Sequence, residues 1–527
     1  MTFTGTLLPY QPVAVDAMIA RGKMLVAYDL GLGKTVLTIA ALENLMDAGL
    51  ITEPGLIICL STLKYQWSSQ IGVFTDGTSD SLVIDGTPKV REAQYAQAHD
   101  WKKTGLKYVI LNYEQVVNDW DQVKSLPRGF IVCDEATAIK SFRSKRSKSV
   151  KKLTTPYKFA LTGTPIENGK PEELFSIMQF VDPTVLGRFD LFDSTFIVRN
   201  RFGGVERYKN LPLLHKVLSE ACVRKRQEDP DVAPFLPDTI FAAPITIPFD
   251  TASKKLYKHI SMDLLLDLEE ASDSFGSSFD IFSHYGQSDQ GGPMDELRGR
   301  IMSKLTSLRM LCDHPDLIKH SGKIYRPMLG VGSKYANELL TGSLLDPVSK
   351  TPKLLVLKDY ADSFLSDYSD NKLVIFTSYV GMVDILHDEL VSLGYGVSKY
   401  TGKMDAKAKE ASKVKFQTDP KVRILVSSDA GGYGVDLPQA NLLINYDIPW
   451  NAGLALQRNG RIRRASSTWK SIVIQDLVME GSIEERQHTM LSQKLAIANA
   501  VVDGEGINDQ GGISLNVGTL KAFLQGL

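Results

Sequence analysis

The stretch KMLVAYDLGLGKTVLTIAALENLM, residues 23–46, decides the fold. It opens on KMLVAY, a short run of apolar residues without polar alternation, the pattern of a strand covered on both faces of a parallel sheet. It turns through a glycine loop and continues with helical spacing. Gly31 and Gly33 let the backbone approach an anion closely, and the loop N–H groups can point inward at it. The helix that follows presents its N-terminus to the same place. Lys34 can reach the terminal phosphates of a nucleotide, and the Thr35 hydroxyl can ligate Mg²⁺. Tyr28 stands where the strict phosphate-loop pattern has its first glycine, so the match is partial and rests on the strand before it and the helix after it.

Runs of the same kind recur on both sides. GLIICL, KYVIL, GFIVC and KFALT follow in the first third of the chain, and KLVIF, RILVS, LLINY and SIVIQDL form a second series from about residue 372. Between members of the second series, GMVDILHDELVSL places Met382, Ile385, Leu386, Leu390 and Leu393 at helical spacing, which makes one apolar face. Strands alternating with helices in two blocks predict two α/β domains. The expected division is 1–183 for the first lobe, 184–350 for helical insertions and a connector, 351–502 for the second lobe and 503–527 for a C-terminal tail. Within the connector, residues 272–293 are rich in Ser, Gly and Asp and read as a surface loop.

Composition excludes little. The chain has 527 residues, 43% hydrophobic and 23% charged, with a formal net charge of −1. No run approaches the ~20 apolar residues of a membrane span, and the first residues lack a basic segment followed by an apolar one, so no signal peptide is expected. The four cysteines (Cys59, Cys133, Cys222, Cys312) are isolated from one another, which fits a reducing compartment such as the cytoplasm of a bacterial or virus-infected cell and gives no metal pairs. His314 reads as a packing or capping residue. A near-zero net charge leaves room for a local basic surface. KSFRSKRSKSVKK, residues 140–152, carries seven Lys or Arg and no acid, and reads either as a phosphate-facing surface or as a solvated helix face.

GFIVCDEATAIK, residues 129–140, ends an apolar strand on two carboxylates. Asp134 can hold Mg²⁺, and Glu135 can position and deprotonate an attacking water. The alternative is that the pair caps the next helix. Its place after a strand, downstream of a phosphate loop, favours chemistry.

Taken in order, these segments resemble a superfamily-two helicase core of the Swi/Snf type. LLPYQ resembles the glutamine motif, DLGLGKT motif I, STLKYQW motif Ia, LNYE motif Ib, DEAT the DExH box with Thr137 in the histidine place, and LTGTPIEN motif III. LRMLCDHP resembles a connector segment of the family, VIFTSY motif IV with YTG its companion, SSDAGGYGVDLPQANLLINYDIPWN motif V, and QRNGRIRR motif VI. The resemblance implies two RecA-like parallel-sheet lobes, with ATP and Mg²⁺ bound where they meet. It implies Gln11 as the adenine reader, Leu32, Gly434 and Asp436 as further nucleotide contacts, Arg461 and Arg464 as arginine fingers, and Gln457 as an organiser of the γ-phosphate end. A finger of this sort is worth about 10³–10⁵ in rate. Arg458 and Arg463 read as a solvated helix face, and the RKR at 224–226 as structural.

Hydroxyls and backbone N–H groups at strand ends suit phosphate oxygens and carry no base code. Ser61, Thr62, Asn112, Tyr113, Lys140, Thr377, Ser378, Ser427 and Ser428 are therefore the expected nucleic-acid contacts. The resulting expectation is an ATP-driven motor that translocates on double-stranded DNA without regard to sequence, alone or with other nucleic-acid-processing proteins and away from membranes. A strand-separating or branch-migration helicase, RNA as substrate, and an ATP-gated binding module are the rivals.

Overall fold

The computed structural model describes residues 2–200, 203–276, 292–349, 351–429, 435–506, 510–511 and 516–526. In chain order the strands are β1 (Lys23–Tyr28), β2 (Gly55–Cys59), β3 (Asp80–Val83), β4 (Leu106–Asn112), β5 (Phe130–Asp134), β6 (Tyr157–Leu161), β7 (Ile197–Arg199), β8 (Val205–Tyr208) and β9 (Cys222–Lys225). They continue as β10 (Asp238–Phe241), β11 (Ile245–Ile247), β12 (Leu373–Thr377), β13 (Gly396–Tyr400), β14 (Val422–Ser428), β15 (Leu442–Asn445), β16 (Ser471–Met479) and β17 (Gln510–Gly511). Two parallel sheets result, β3-β4-β2-β5-β6-β1-β9 and β10-β16-β15-β12-β14-β13, with β11 also on β16. A small antiparallel sheet, β17-β8-β7, stands apart from them. The fold is therefore α/β with two parallel-sheet lobes, as the alternation of runs implied.

Burial explains why the strands read as continuous apolar runs. Leu25 and Ala27 of β1 face one buried cluster, while Met24, Val26 and Tyr28 face another on the opposite side of the sheet. In the second lobe Leu373 and Ile375 of β12 face one cluster and Val374 and Phe376 the other. A strand buried on both faces has no polar side to reveal its period. The helix Val380–Ser392 buries Met382, Val383, Leu386 and Leu390, whereas Leu393, placed on its apolar face by spacing, is exposed.

The connector differs from its expected boundaries. β9 extends the first sheet beyond residue 183 by pairing with β1, Val223 opposite Val26. β10 and β11 extend the second sheet well before residue 351 by pairing with β16. All three are short, and β9 and β10 mix charged or polar residues with apolar ones, so the sequence pattern of a buried strand is lost. The rest of the connector is helical. Thr251–Phe275 and Pro293–Asp313 pack on the core of the second lobe, where Leu256, Ile260, Leu264, Ile301, Leu305 and Leu308 join Leu373 and Ile375. Most of the 272–293 stretch lies outside the described residues.

One long helix, Ile483–Val502, ties the lobes together. Its first turn belongs to the second lobe, with the Ile483 N–H donated to Tyr257 Oη and Glu484 paired with Lys353. Its last turns belong to the first, where Ile497, Ala500, Val501 and Val502 enter a cluster with Leu25, Leu214 and Leu218. No described helix is long and apolar enough to cross a membrane.

Candidate functional site

In open parallel sheets, ligands sit beyond the carboxyl ends of the strands. That edge of the first lobe carries the loop after β1 and the carboxylates after β5. Gly31 and Gly33 both have positive φ, 81° and 78°, a region that favours glycine. At Gly31 a methyl group would also sit 2.8 Å from Arg464 Nη1, so the second lobe presses against the loop there. Lys34 begins the helix Lys34–Asp47 and donates from Nζ to the carbonyls of Tyr28 (2.8 Å) and Asp29 (3.1 Å). Burial pulls its ammonium down to about 8, while Glu135, Asp134 and Asp29 hold it up and Arg464 adds to the lowering. Thr35 is half-buried beside it, and Leu32 is buried. Tyr28, in place of the first glycine, is fully buried and donates its hydroxyl to the Tyr10 carbonyl (3.0 Å), so the missing glycine is replaced by a core contact to the LLPYQ segment.

Gln11 lies behind the phosphate loop. It is 2% exposed, and both ends of its amide are used: Oε1 accepts from Leu8 N (2.8 Å) and Nε2 donates to Leu32 O (3.0 Å). It fastens the phosphate loop to the N-terminal segment.

Asp134 ends β5 and accepts from Trp67 Nε1 (2.8 Å) and from Glu135 N (2.9 Å). Burial raises its carboxyl above the usual range. Glu135 has φ 51°, an unusual backbone for a glutamate, and takes up no helix-capping bond. Strained backbone of this kind clusters at functional sites. Burial, reinforced by Asp134 and opposed by Lys34, pushes Glu135 up to about 7. Its Oε1 accepts from Thr137 Oγ1 (3.2 Å) and, from the other lobe, from Gln457 Nε2 (3.3 Å).

Motif VI supplies the remaining pieces. Gln457 and Arg458 lie on the short helix Ala452–Asn459, capped by Asn451, and the other arginines follow it in turns. Arg464 is 7% exposed and pairs with Asp436 (2.6 Å), so Asp436 is brought to the guanidinium. Arg461 is buried, contacts the Val435 carbonyl (3.4 Å) and helps hold Glu135 in its charged form. Gln457 Oε1, Arg464 Nε and Thr164 Oγ1 of motif III are buried polar atoms without a protein partner. Buried polar atoms of this kind are rare and mark places where a ligand or water completes the bonding. Gly434 lies outside the described residues.

Two arginines correct the sequence reading. Arg458 is 2% exposed and forks onto Asp429 (2.6 and 3.0 Å) and Asp447 (3.1 Å), reaching Ser378 Oγ as well. Arg463 lies past the helix and pairs with Glu228 (2.6 Å). Neither forms a solvated helix face, because the helix is short and packs between the lobes. Of the 224–226 basic residues, Arg224 pairs with Asp29 and Asp503, and Arg226 with Asp229 and Glu505.

The expected nucleic-acid contacts divide. Ser61 and Thr62 are exposed in the turn after β2. Asn112 is spent capping the helix Tyr113–Asn118, and Tyr113 is buried with its hydroxyl on the Asp134 carbonyl (2.8 Å). Thr377 Oγ1 and Ser378 N and Oγ are all held by Asp447 at 2.6 Å. Ser427 and Ser428 are buried at the end of β14. Lys140 pairs with Glu167 and approaches Glu173. The hydroxyls of Tyr113, Thr377 and Ser427 are thus committed inside the protein, and in this structure they brace the cleft. Within 140–152 the helix Lys145–Lys152 leaves Lys145, Lys148 and Lys152 exposed, as is Arg143 before it, while Arg146 pairs with Glu114 and Lys151 reaches Ser176 (2.7 Å) and Gln179 (3.0 Å). His314 caps the helix Pro315–Lys323 through Nδ1, and the four cysteines are free.

Sequence reasoning missed the bracing groups. Glu167 of motif III accepts from Asn451 Nδ2 (3.2 Å), its carbonyl accepts from Ala452 N (3.1 Å), and Glu173 binds the backbone of Glu167 and Asn168. These residues stand far apart in the chain, with no spacing to connect them.

The arrangement places a phosphate loop and carboxylates on one lobe and guanidiniums on the other. Residues 10–317 match the SNF2-related domain and residues 353–466 the helicase conserved C-terminal domain. The chain belongs to the SNF2-related family of helicase superfamily two. It is 25% identical over 514 residues to YwqA of Bacillus subtilis, whose name describes an ATP-dependent helicase/translocase, covering 96% of this chain and 50% of that protein. It is 26% identical over 505 residues to the DNA repair and recombination protein RAD54-like of Gallus gallus, covering 91% of this chain and 64% of that one. The chain thus spans about half to two thirds of the length of these relatives. The helicase domain of Pyrococcus furiosus Hef shares the fold, with a TM-score of 0.51 and 16% identity over 92% of this chain and 97% of that one.

Proposed function

We propose that the chain is an ATP-hydrolysing motor that translocates on double-stranded DNA, with catalysis at the interface of its lobes. The observation that carries this reading is the meeting of motif VI with the phosphate loop and Glu135: Gln457 bonds Glu135 across the cleft, and Arg464 abuts Gly31. Lys34, Arg461 and Arg464 supply positive charge to the phosphates from two separate lobes. Glu135, whose carboxyl burial pushes up to about 7, accepts the proton of the attacking water in its ionised form.

Thr35 and Asp134 are the residues that would hold Mg²⁺. One hydroxyl and one carboxylate suit an ion that keeps waters and takes its other ligands from substrate phosphates. Among the described residues no group of three or more His, Cys, Asp or Glu forms a cage for another metal. When bound, the ion neutralises charge developing on the phosphates.

Because each lobe holds part of the site, hydrolysis requires closure, and cycles of closure move the lobes against a bound duplex. Ser61, Thr62 and the exposed cations of 143–152 are the contacts we assign to the phosphate backbone, which gives binding without base preference that weakens with salt. The name of the Bacillus relative supports translocation. The test is ATP turnover with duplex DNA, single-stranded DNA or RNA as activator, combined with triplex displacement. We expect duplex DNA to stimulate most and a third strand to be displaced. Stimulation by single strands alone, with a duplex unwound, would transfer the assignment to a strand-separating helicase.

A further inference from the structure

The segment RKRQE, residues 224–228, meets motif VI through Glu228 and touches the phosphate loop from behind. Asp29, the residue before the loop glycines, is held by Arg224 Nη1 and by the Gln227 N–H (3.0 Å). Gln227 Nε2 donates to the Leu30 carbonyl (2.7 Å), and Arg224 Nη1 also reaches the Ala27 carbonyl of β1 (2.8 Å). The backbone of the phosphate loop between β1 and Gly31 is therefore fixed by this segment as well as by Gln11.

The same guanidinium faces the other way. Arg224 Nε donates to Asp503 (2.6 Å), whose side chain is only 5% exposed, and Arg226 pairs with Glu505 (2.6 Å). Asp503 and Glu505 follow directly on the helix Ile483–Val502. That helix is anchored at its start in the second lobe, through Glu484 on Lys353, Gln487 Nε2 on the Ile448 carbonyl (2.9 Å) and Lys494 on the Trp450 carbonyl (2.5 Å). Its end docks on the first lobe, where His215 Nδ1 meets the Val501 carbonyl (3.1 Å). A helix of about 20 residues spans some 30 Å without bending much. A rigid element rooted in the second lobe thus ends on an arginine that holds the phosphate loop of the first.

We propose that Arg224 is a positioning residue for the phosphate loop, and that through Asp503 it makes nucleotide affinity depend on how the C-terminal helix is docked. The two carboxylates share one partly buried guanidinium, so loss of one leaves the other carboxylate to pull the fork out of place. Opposite charges buried together are strongly coupled for this reason. Displacement of the helix end loosens Asp29 and Leu30, and with them the loop that carries Gly31, Gly33 and Lys34. The inference rests on the ATP-site assignment made above.

The experiment is steady-state ATP turnover with saturating duplex DNA, with direct titration of a fluorescent ATP analogue, for Asp503→Asn, Arg224→Gln, the double variant and Lys34→Ala. Asp503→Asn is expected to raise KM and the analogue's Kd roughly 5- to 30-fold, the usual range for coupled sites, with kcat changed less than about threefold. The double variant should bind no worse than Arg224→Gln alone. Glu505→Gln removes only the outer, half-exposed pair and should leave KM unchanged, since such pairs contribute little. Should Asp503→Asn fail to fold, Asp503→Glu keeps the charge and displaces it by one methylene, and a rise in KM of a few fold is expected. An unchanged KM in the folded Asp503 variant, or effects of Asp503→Asn and Arg224→Gln that multiply, would overturn the proposal. Lys34→Ala separates the two readings. If it abolishes turnover while the Asp503 variant behaves as wild type, only the coupling is wrong. If it leaves turnover intact, the ATP site itself is misassigned.

Discussion

In the first lobe, burial moves Lys34 down to about 8 and Glu135 up to about 7, because each is desolvated faster than its neighbours compensate. In the second, burial of the same severity has the opposite result. Against that burial, Arg458 and Arg309, with the hydroxyls of Ser378 and Thr377, draw the Asp447 carboxyl down to about 2. Arg458 is raised well above its ordinary range by Asp429 and Asp447. Both places concentrate charge beneath the surface, but Asp447 and Arg458 are closely paired with opposite charges and Lys34 and Glu135 are not. The difference separates chemistry from architecture: groups displaced toward neutral pH are able to exchange protons, whereas groups driven away from it are locked as ions. It also separates arginines a few residues apart. Arg458 belongs to the locked network and Arg464 to the cleft.

The comparison breaks most visibly at Glu135. Glu135→Gln keeps the shape of the side chain and removes the base, so turnover should fall about 10²- to 10⁴-fold while nucleotide binding and the thermal transition stay close to wild type. A variant with near-normal turnover would return the carboxylate pair to a capping or packing role.

At Arg458 the expected loss is one of stability. Arg458→Ala strands Asp429 without its cation and leaves Asp447 with Arg309 alone, and removing one partner of a buried pair costs about 3–5 kcal/mol. A denaturant titration should show the midpoint displaced accordingly. A stable Arg458→Ala protein with specifically impaired turnover would place this arginine among the fingers.

The poorly paired groups also fix a pH window. Glu135 must be ionised to accept a proton, so activity rises with pH as it loses its proton near 7. Lys34 must be protonated, so activity falls as pH passes about 8. The ratio kcat/KM for ATP, which reports the free enzyme, should therefore be bell-shaped with limbs near these values. Glu135→Gln should lose the acid limb from whatever turnover remains.

The smallest effects belong to the basic stretch. Arg143→Ala and Lys148→Ala should each lower the slope of log affinity for duplex DNA against log salt by about 1 and leave basal turnover unchanged. An unchanged slope would mean a solvated face.

How much of this was legible from the residues follows the same division. The central strands of both sheets announced themselves, since being buried on two faces forces unbroken apolar runs. β3, β9, β10 and β13 were invisible, because edge strands such as CVRK and GVSKY mix charge with apolar residues. In the site, Lys34 and Glu135 are assigned from the local pattern of a strand, a glycine loop and a strand-end carboxylate pair, whereas Gln457 and Arg464 are assigned only through the family resemblance. The bracing contacts were not legible. Asp29 meets Arg224, Glu167 meets Asn451, and Asp429 meets Arg458 only after folding, and nothing local in their segments predicts it. The same limit explains the serine and threonine assignments. Strand-end hydroxyls near a ligand edge look alike in sequence, whether they face a phosphate, as Ser61 and Thr62 can, or a buried aspartate, as Thr377 does.

The central claim is that two lobes build one nucleotide site, and Arg464 is where it is most exposed to contradiction. Duplex-stimulated ATP turnover of Arg464→Ala, in a protein whose thermal transition and ATP-analogue binding are verified, should fall about 10³- to 10⁵-fold. Turnover within tenfold of wild type would mean that the second lobe lends nothing to hydrolysis.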